Sequence, residues 1–131
     1  MSQAATIAHS GAVTGYPVSS PCGPTLSDTL RTDFQGTYSA SKSSRLAIVN
    51  ATDASPYVVA LDSITKIRFL ALRVINGASI KALLTSPSGS DQAIKTSSLL
   101  LWHSPTSGDE ITTIKLVGTA DIELMLAGDT T

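Results

Sequence analysis

A chain of 131 residues is long enough for one domain with a sizeable core, which would bury about two-thirds of the surface that the unfolded chain exposes. Nine basic and ten acidic residues leave a net charge of −1, and the basic residues are scattered, so nucleic acid is not expected as a direct ligand. No apolar run is long enough for a signal peptide or a membrane span, and Cys22 has no partner for an internal disulfide. These features predict synthesis in a reducing cytoplasm and no membrane partner.

Residues 1–44 are predicted to form an extended arm. Ser, Thr, Ala, Gly and Pro dominate this stretch, and its three prolines, Pro17, Pro21 and Pro24, oppose a helix. Its apolar side chains stand singly, so the stretch cannot offset its own ordering entropy by burial. We expect it to be held either by a neighbouring subunit or by its own domain. The candidate interface residues of the chain are Tyr16, Leu26, Leu30, Phe34 and Trp102.

Residues 45–131 change to short apolar runs separated by turn signals, which is typical of an antiparallel β domain. The predicted strands are Arg45–Asn50, Tyr57–Leu61, Lys66–Ile75, Ser79–Thr85, Gln92–Lys95, Leu99–Trp102, Ile111–Val117 and Ile122–Ala127. Eight short strands favour two packed sheets, since one sheet would leave an apolar face in water. We therefore predict an all-β, jelly-roll-like antiparallel β-sandwich, with a small barrel as the alternative.

Two β-hairpins are predicted within this domain. Asn76-Gly77 lies between two apolar runs and suits the positive φ angles of a type I′ turn. The second hairpin would turn at Gly118–Asp121, and in its final strand Ile122, Leu124 and Leu126 would share one face.

The residues that could carry catalysis are few. His103 and Asp109 could join one of many serines in a hydrolase site, but no Gly-x-Ser-x-Gly elbow accompanies them. The other histidine, His9, lies in the arm. We expect that the chain is not an enzyme.

Four acidic residues invite a metal hypothesis. Asp91, Asp109, Glu110 and Asp121 could meet at one end of a sandwich and hold calcium, but the dense Asp-x-Asp-x-Asp spacing is missing. Short acidic residues are common in turns, which is the simpler interpretation. We expect no metal and no cofactor.

Trp102 is the one tryptophan, and with Tyr57 it could form an aromatic platform for a sugar. Carbohydrate sites usually use several exposed aromatic rings, whereas this chain is poor in them. A tryptophan that follows Leu99-Leu100-Leu101 is more often half-buried at the rim of a core or an interface. The sequence favours packing over ligand binding at this residue.

The segment from Ile111 to Gly128, ITTIKLVGTADIELMLAG, resembles the ending of small virion proteins of tailed bacteriophages, which often close with a β-hairpin and a short Ala-Gly tail. The hydroxyl-rich surface and the Ser/Thr/Gly/Pro-rich arm before a β domain are similar too. The resemblance implies a virion structural protein, localised in the virion, whose partners are its own copies and others such as a capsid protein. A capsid decoration or accessory head role leads; a tail or neck component, or a carbohydrate- or host-surface-binding module, is the alternative.

Overall fold

The computed structural model describes residues 3–14, 29–106 and 108–131. All regular structure in these ranges is β-strand, so the all-β antiparallel class is confirmed. The strands are β1 (Gln3–His9), β2 (Ala12–Thr14), β3 (Thr29–Arg31), β4 (Phe34–Ala51), β5 (Tyr57–Val58), β6 (Lys66–Thr85), β7 (Asp91–Thr96), β8 (Leu99–His103) and β9 (Thr113–Asp129). Within the same ranges, no helix is long and apolar enough to span a membrane.

The chain groups into two compact units, one made of residues up to Ala5 with Tyr38–Thr131, the other of Thr6–Thr37. Strand β4 passes through the predicted boundary at Ser44 without a break, and three strands precede it in the predicted arm. The division into residues 1–44 and 45–131 stays a prediction.

A seven-stranded sheet is built around two long central strands, β6 and β9. They pair antiparallel over nearly their whole lengths, from Lys66 opposite Asp129 to Thr85 opposite Thr113. Along the path the order is β1-β4-β9-β6-β7, while β5 also pairs with β9 and β8 also pairs with β6. Both strands are therefore hydrogen-bonded on two edges.

The predicted hairpin at Asn76-Gly77 is wrong, because β6 continues through this pair as one strand. A type I′ turn needs positive φ at both central residues, and among the described non-glycine residues positive φ occurs at Asn50 and Asp62, not at Asn76. Gly77 does have a φ of 121°, and the register with β9 shifts on either side of it. The pair forms an irregularity within a long strand instead of a chain reversal.

The predicted second hairpin is also wrong, because residues 113–129 form the single strand β9. Gly118 has a φ of 128° and lies opposite Ile80, close to the place where Gly77 lies opposite Ala120. The two glycine-containing irregularities thus occur side by side on the paired central strands. The resemblance to virion proteins therefore rests on composition and on the Ala-Gly ending, and no longer on a closing β-hairpin.

One hydrophobic core joins the two halves of the central strands. The predicted shared face of Ile122, Leu124 and Leu126 is confirmed, since all three are buried, and so are Leu70, Leu72, Ile80, Ala82 and Leu84 of β6. The residues of β9 in the same cluster are Ile114, Leu116, Ala120, Ile122, Leu124 and Leu126. Each fully buried Leu or Ile contributes about 1.5–3 kcal/mol to folding. The sandwich arrangement itself stays a prediction.

The smaller unit, Thr6–Thr37, holds the two-stranded antiparallel sheet of β2 and β3. Asp33 closes it: its carboxylate accepts a hydrogen bond of 2.7 Å from the Gly11 amide and pairs with Arg31 at 3.0 Å. The Gly11 hydrogen bond, more than the Arg31 side chain, lowers the pKa of Asp33. This carboxylate therefore stays charged at neutral pH.

Candidate interaction surface

The outer face of the large sheet carries apolar side chains where β8, β6, β9 and β4 lie side by side. The register places Leu101, Ala71, Met125 and Ser43 in one row across these four strands. Leu99 precedes Leu101 on the same face of β8. Leu99, Leu101 and Met125 are 60%, 40% and 43% exposed, an unusual position for large apolar side chains that share one face of a sheet. We call Leu99, Leu101, Ala71 and Met125 the Leu101 face.

A charged row borders the Leu101 face. Arg73 lies opposite Leu99 on one side and Glu123 on the other, and Glu123 lies opposite Arg45. The Arg45 and Glu123 side chains approach to 3.9 Å and are both largely exposed. Together with Leu99, Ala71 and Met125 these residues line a groove of about 490 Å³. An apolar centre with a charged border is the usual anatomy of a protein interface.

The opposite border is neutral and aromatic. His103 and Ala127 lie on either side of Phe69 in the next row, and the His103 Nε2 is hydrogen-bonded to the Tyr38 hydroxyl. Burial lowers the pKa of His103 and raises that of Tyr38. Both rings are therefore uncharged near pH 7, whereas the Arg73 row brings charge to the other border of the face.

Arg68 fixes the loop that follows β8. A register shift between Ile67 and Phe69 takes Arg68 out of the ladder, and its side chain is buried. The guanidinium donates to Asp129 at 2.7 Å and to the Thr106 carbonyl at 3.1 Å, and lies 3.8 Å from Glu110. This cluster joins the loop between β8 and β9 to the end of β9.

Glu110 is the other charged residue of this cluster that is buried. Its carboxylate accepts a hydrogen bond of 2.6 Å from the Gly108 amide. Hydrogen bonds from its own backbone amide and from that of Gly108, with help from Arg68, lower the pKa of Glu110 despite burial. The group is thus held as a carboxylate in the folded protein.

A second cavity, of about 530 Å³, lies at the Trp102 end of the core. Its polar lining includes Gln92, Ser104 and Asp109. The Trp102 side chain is half-buried and packs against the hydrophobic core, as its sequence context suggested.

The remaining candidate interface residues are spread over the chain. Tyr16 and Leu26 lie outside the described residues. Leu30 is 66% exposed on β3, and Phe34 is half-buried, stacked on His9 with ring centroids 5.6 Å apart. Their role in an interface stays a prediction. The candidate interface residues did not include Leu99, Leu101 or Met125. For the two leucines the reason is that three consecutive leucines do not reveal which of them face the core.

The structure does not gather the acidic residues that were considered for calcium. In the three described ranges, no group of three or more His, Cys, Asp or Glu side chains is placed to hold a metal ion. Asp91 instead accepts a hydrogen bond of 2.6 Å from Thr85, and Glu110 belongs to the Arg68 cluster.

Comparison with known proteins adds no family: no protein-family model, curated protein or solved structure matches this chain significantly. The class that the fold defines is an all-β protein with a large antiparallel sheet that carries an exposed apolar face.

Proposed function

We propose that the chain is a structural subunit of a bacteriophage virion, a capsid decoration or accessory head protein that acts through subunit contacts. Its partners are further copies of itself and other virion proteins such as a capsid protein. The observation that carries the proposal is the Leu101 face, where large apolar side chains of two strands are exposed together.

Burial of such a face against another protein is favourable by about 25 cal/mol for each Å² of apolar surface. One such contact is weak, but its repetition over a lattice multiplies affinity through avidity. Arg45, Arg73 and Glu123 at the border would fix the orientation of a partner more than they would add affinity. These are the properties of a subunit that associates with its own copies.

A virion location rests on the resemblance in composition and in the Ala-Gly ending. A tail or neck position uses the same kind of contacts and is the first alternative. In either case the protein is made in the host cytoplasm and is carried in the particle.

The mass of the full-length protein in solution tests this proposal. We expect light scattering at several concentrations to show a stable oligomer, and the double variant Leu99→Ser/Met125→Ser to dissociate it. The control is Val58→Ser, because Val58 is 58% exposed on β5 and lies outside the Leu101 face. A monomer at every concentration would contradict the proposal.

The Trp102 cavity favours a second candidate function, a carbohydrate-binding module. A tryptophan with Gln92, Ser104 and Asp109 offers both an apolar ring and the polar groups that fix a ligand's orientation. Tyr57, on β5, is not among the residues that line this cavity. Glycan binding by a folded monomer, abolished by Trp102→Ala, would favour the module over the virion subunit.

A further inference from the structure

We propose that β8 pairs antiparallel with β8 of a second copy of this chain, about a twofold axis at Leu101. The inference rests on the proposed function, because it names one of the contacts by which the subunit would assemble. Four features of β8 lead to it: its edge position, its outward backbone groups, its lack of charge and its exposed leucines.

Strand β8 is an edge strand of the described sheet, since it pairs with β6 alone. The Val74 amide donates to the Ser98 carbonyl at 2.8 Å, and the Ser104 amide donates to the Arg68 carbonyl at 2.8 Å. Hydrogen-bonded pairs alternate along an antiparallel ladder, so the even-numbered residues of β8 direct their backbone groups toward β6. The amide and carbonyl of Leu101 therefore point toward the open edge.

The edge of β8 carries little of the usual protection against pairing, although the Leu99 carbonyl accepts a hydrogen bond of 3.3 Å from the Thr96 hydroxyl. Natural edge strands carry charges, prolines or bulges, or are very short. Strand β7 carries Asp91 and Lys95, and β5 has two residues. Strand β1 is uncharged but presents no large exposed apolar side chain. Strand β8, with the sequence Leu-Leu-Leu-Trp-His, is uncharged and presents two exposed leucines.

Pairing with an identical strand suits this sequence in particular. A twofold axis places the residue at the axis next to its own copy, so a charge there would face an identical charge. Centred on Leu101, the pair sets Leu101 against Leu101 and Leu99 against His103 of the second copy. Burial keeps His103 neutral near pH 7, so this register brings no like charges together.

The same register extends the apolar surface. The row Leu101, Ala71 and Met125 of one copy continues directly into the same row of the other. The two Leu101 faces then form one surface with the charged rows of Arg73 and Glu123 toward opposite ends. Such a dimer would present a larger apolar area to the rest of the assembly.

Cysteine cross-linking tests the register in the full-length protein. Paired residues in an antiparallel ladder have Cα atoms about 5.5 Å apart, within the range of a disulfide. In a Cys22→Ser background we expect Leu101→Cys to form a disulfide-linked dimer under mild oxidation. Leu99→Cys is the matched control, because the two Leu99 positions would lie about 13 Å apart along the strands.

A folded Leu101→Cys protein that cross-links no faster than Leu99→Cys would overturn β8 pairing. If light scattering of the unsubstituted protein still shows an oligomer, the proposed function survives and the contacts lie elsewhere. If that protein is monomeric, both proposals fail.

A charge at the axis provides an independent test. Leu101 is exposed, so Leu101→Lys should fold, and it would set two ammonium groups against each other in the dimer. We expect self-association to weaken on the order of tenfold or more, whereas Val58→Lys should leave it unchanged. If Leu101→Lys and Val58→Lys self-associate equally well, or if both lose self-association to the same extent, the β8 pairing is overturned.

Discussion

Gly77 and Ala120 face each other so closely across β6 and β9 that a side chain on Gly77 has no room. A Cβ atom on Gly77 would lie 2.8 Å from both the Cα and the Cβ of Ala120 and 2.9 Å from the Thr119 carbonyl oxygen. The backbone there also has a φ of 121°, which L-residues rarely adopt. The contact shows why glycine occupies this position on the central strand.

The first prediction concerns this contact. Gly77→Ala should lower the free energy of unfolding by about 3 kcal/mol or more, because backbone strain and overlap with β9 add together. Gly89→Ala is the control, since Gly89 has a φ of 85° with nothing within 4 Å of the new Cβ. It should cost only about 1–2 kcal/mol, the strain alone. Urea unfolding of both variants measures the difference, and equal losses would contradict the steric argument.

The second prediction is a pH dependence from Glu110. Its folded-state pKa is below the ordinary value of 4.5, so the unfolded chain binds more protons in acid. The stability that Glu110 contributes is fully present above about pH 4.5 and is lost as the pH falls through the lower, folded-state pKa. Glu110→Gln should therefore be less stable than the unsubstituted protein at pH 7, and the gap should narrow toward pH 3.

The control for Glu110→Gln is Glu123→Gln. Glu123 is exposed and its ion pair with Arg45 is long, at 3.9 Å, so we expect little change in stability. Thermal unfolding of both variants as a function of pH makes the comparison. If the difference in stability between Glu110→Gln and the unsubstituted protein stays constant with pH, the Glu110 carboxylate is not the stabilising form.

The third prediction is a pH dependence from His103. Burial lowers its folded-state pKa below the ordinary value of 6.5, so the unfolded chain takes up the proton first as the pH falls. The stability from neutral His103 is fully present above about pH 6.5 and decreases below it. His103→Gln can still bond to the Tyr38 hydroxyl but cannot titrate, so its stability should fall less between pH 7 and 5. An unchanged slope in this variant would contradict the prediction.

The fourth prediction concerns where the chain can be shortened. Tyr38 and Ala40 are 6% and 1% exposed, and Ala40–Ser44 pairs with Leu124–Gly128 of β9. A fragment of residues 45–131 would lose this core and ladder, whereas residues 38–131 would keep both. We expect the shorter fragment to unfold at clearly lower urea concentration. Equal midpoints would show that this part of β4 adds nothing to stability.

Local sequence patterns predicted which side chains are buried much better than they predicted where the chain reverses direction. The alternation of Ile122, Leu124 and Leu126 identified a buried face of β9, because a strand sends successive side chains to opposite sides. Asn76-Gly77 predicted a reversal that does not occur, since a glycine with positive φ suits a strand irregularity as well as a turn. Only the pairing of β6 with β9 on both sides of Gly77 separates the two.

The Leu101 face could not be predicted for a related reason. Residues 99–101 are all leucine, so the sequence shows no alternation between an inner and an outer face. Only their register against β6 shows which of them face outward.

By itself the sequence determined the all-β class and the buried face of Ile122, Leu124 and Leu126, because successive side chains of a strand point to opposite sides whatever the strand pairs with. The tertiary structure decided that β6 and β9 each run on past a glycine, that Arg68 leaves the ladder to meet Glu110 and Asp129, and that Leu99, Leu101 and Met125 share one exposed face. Each of these features depends on partners that are distant along the chain, which no local pattern of residues records.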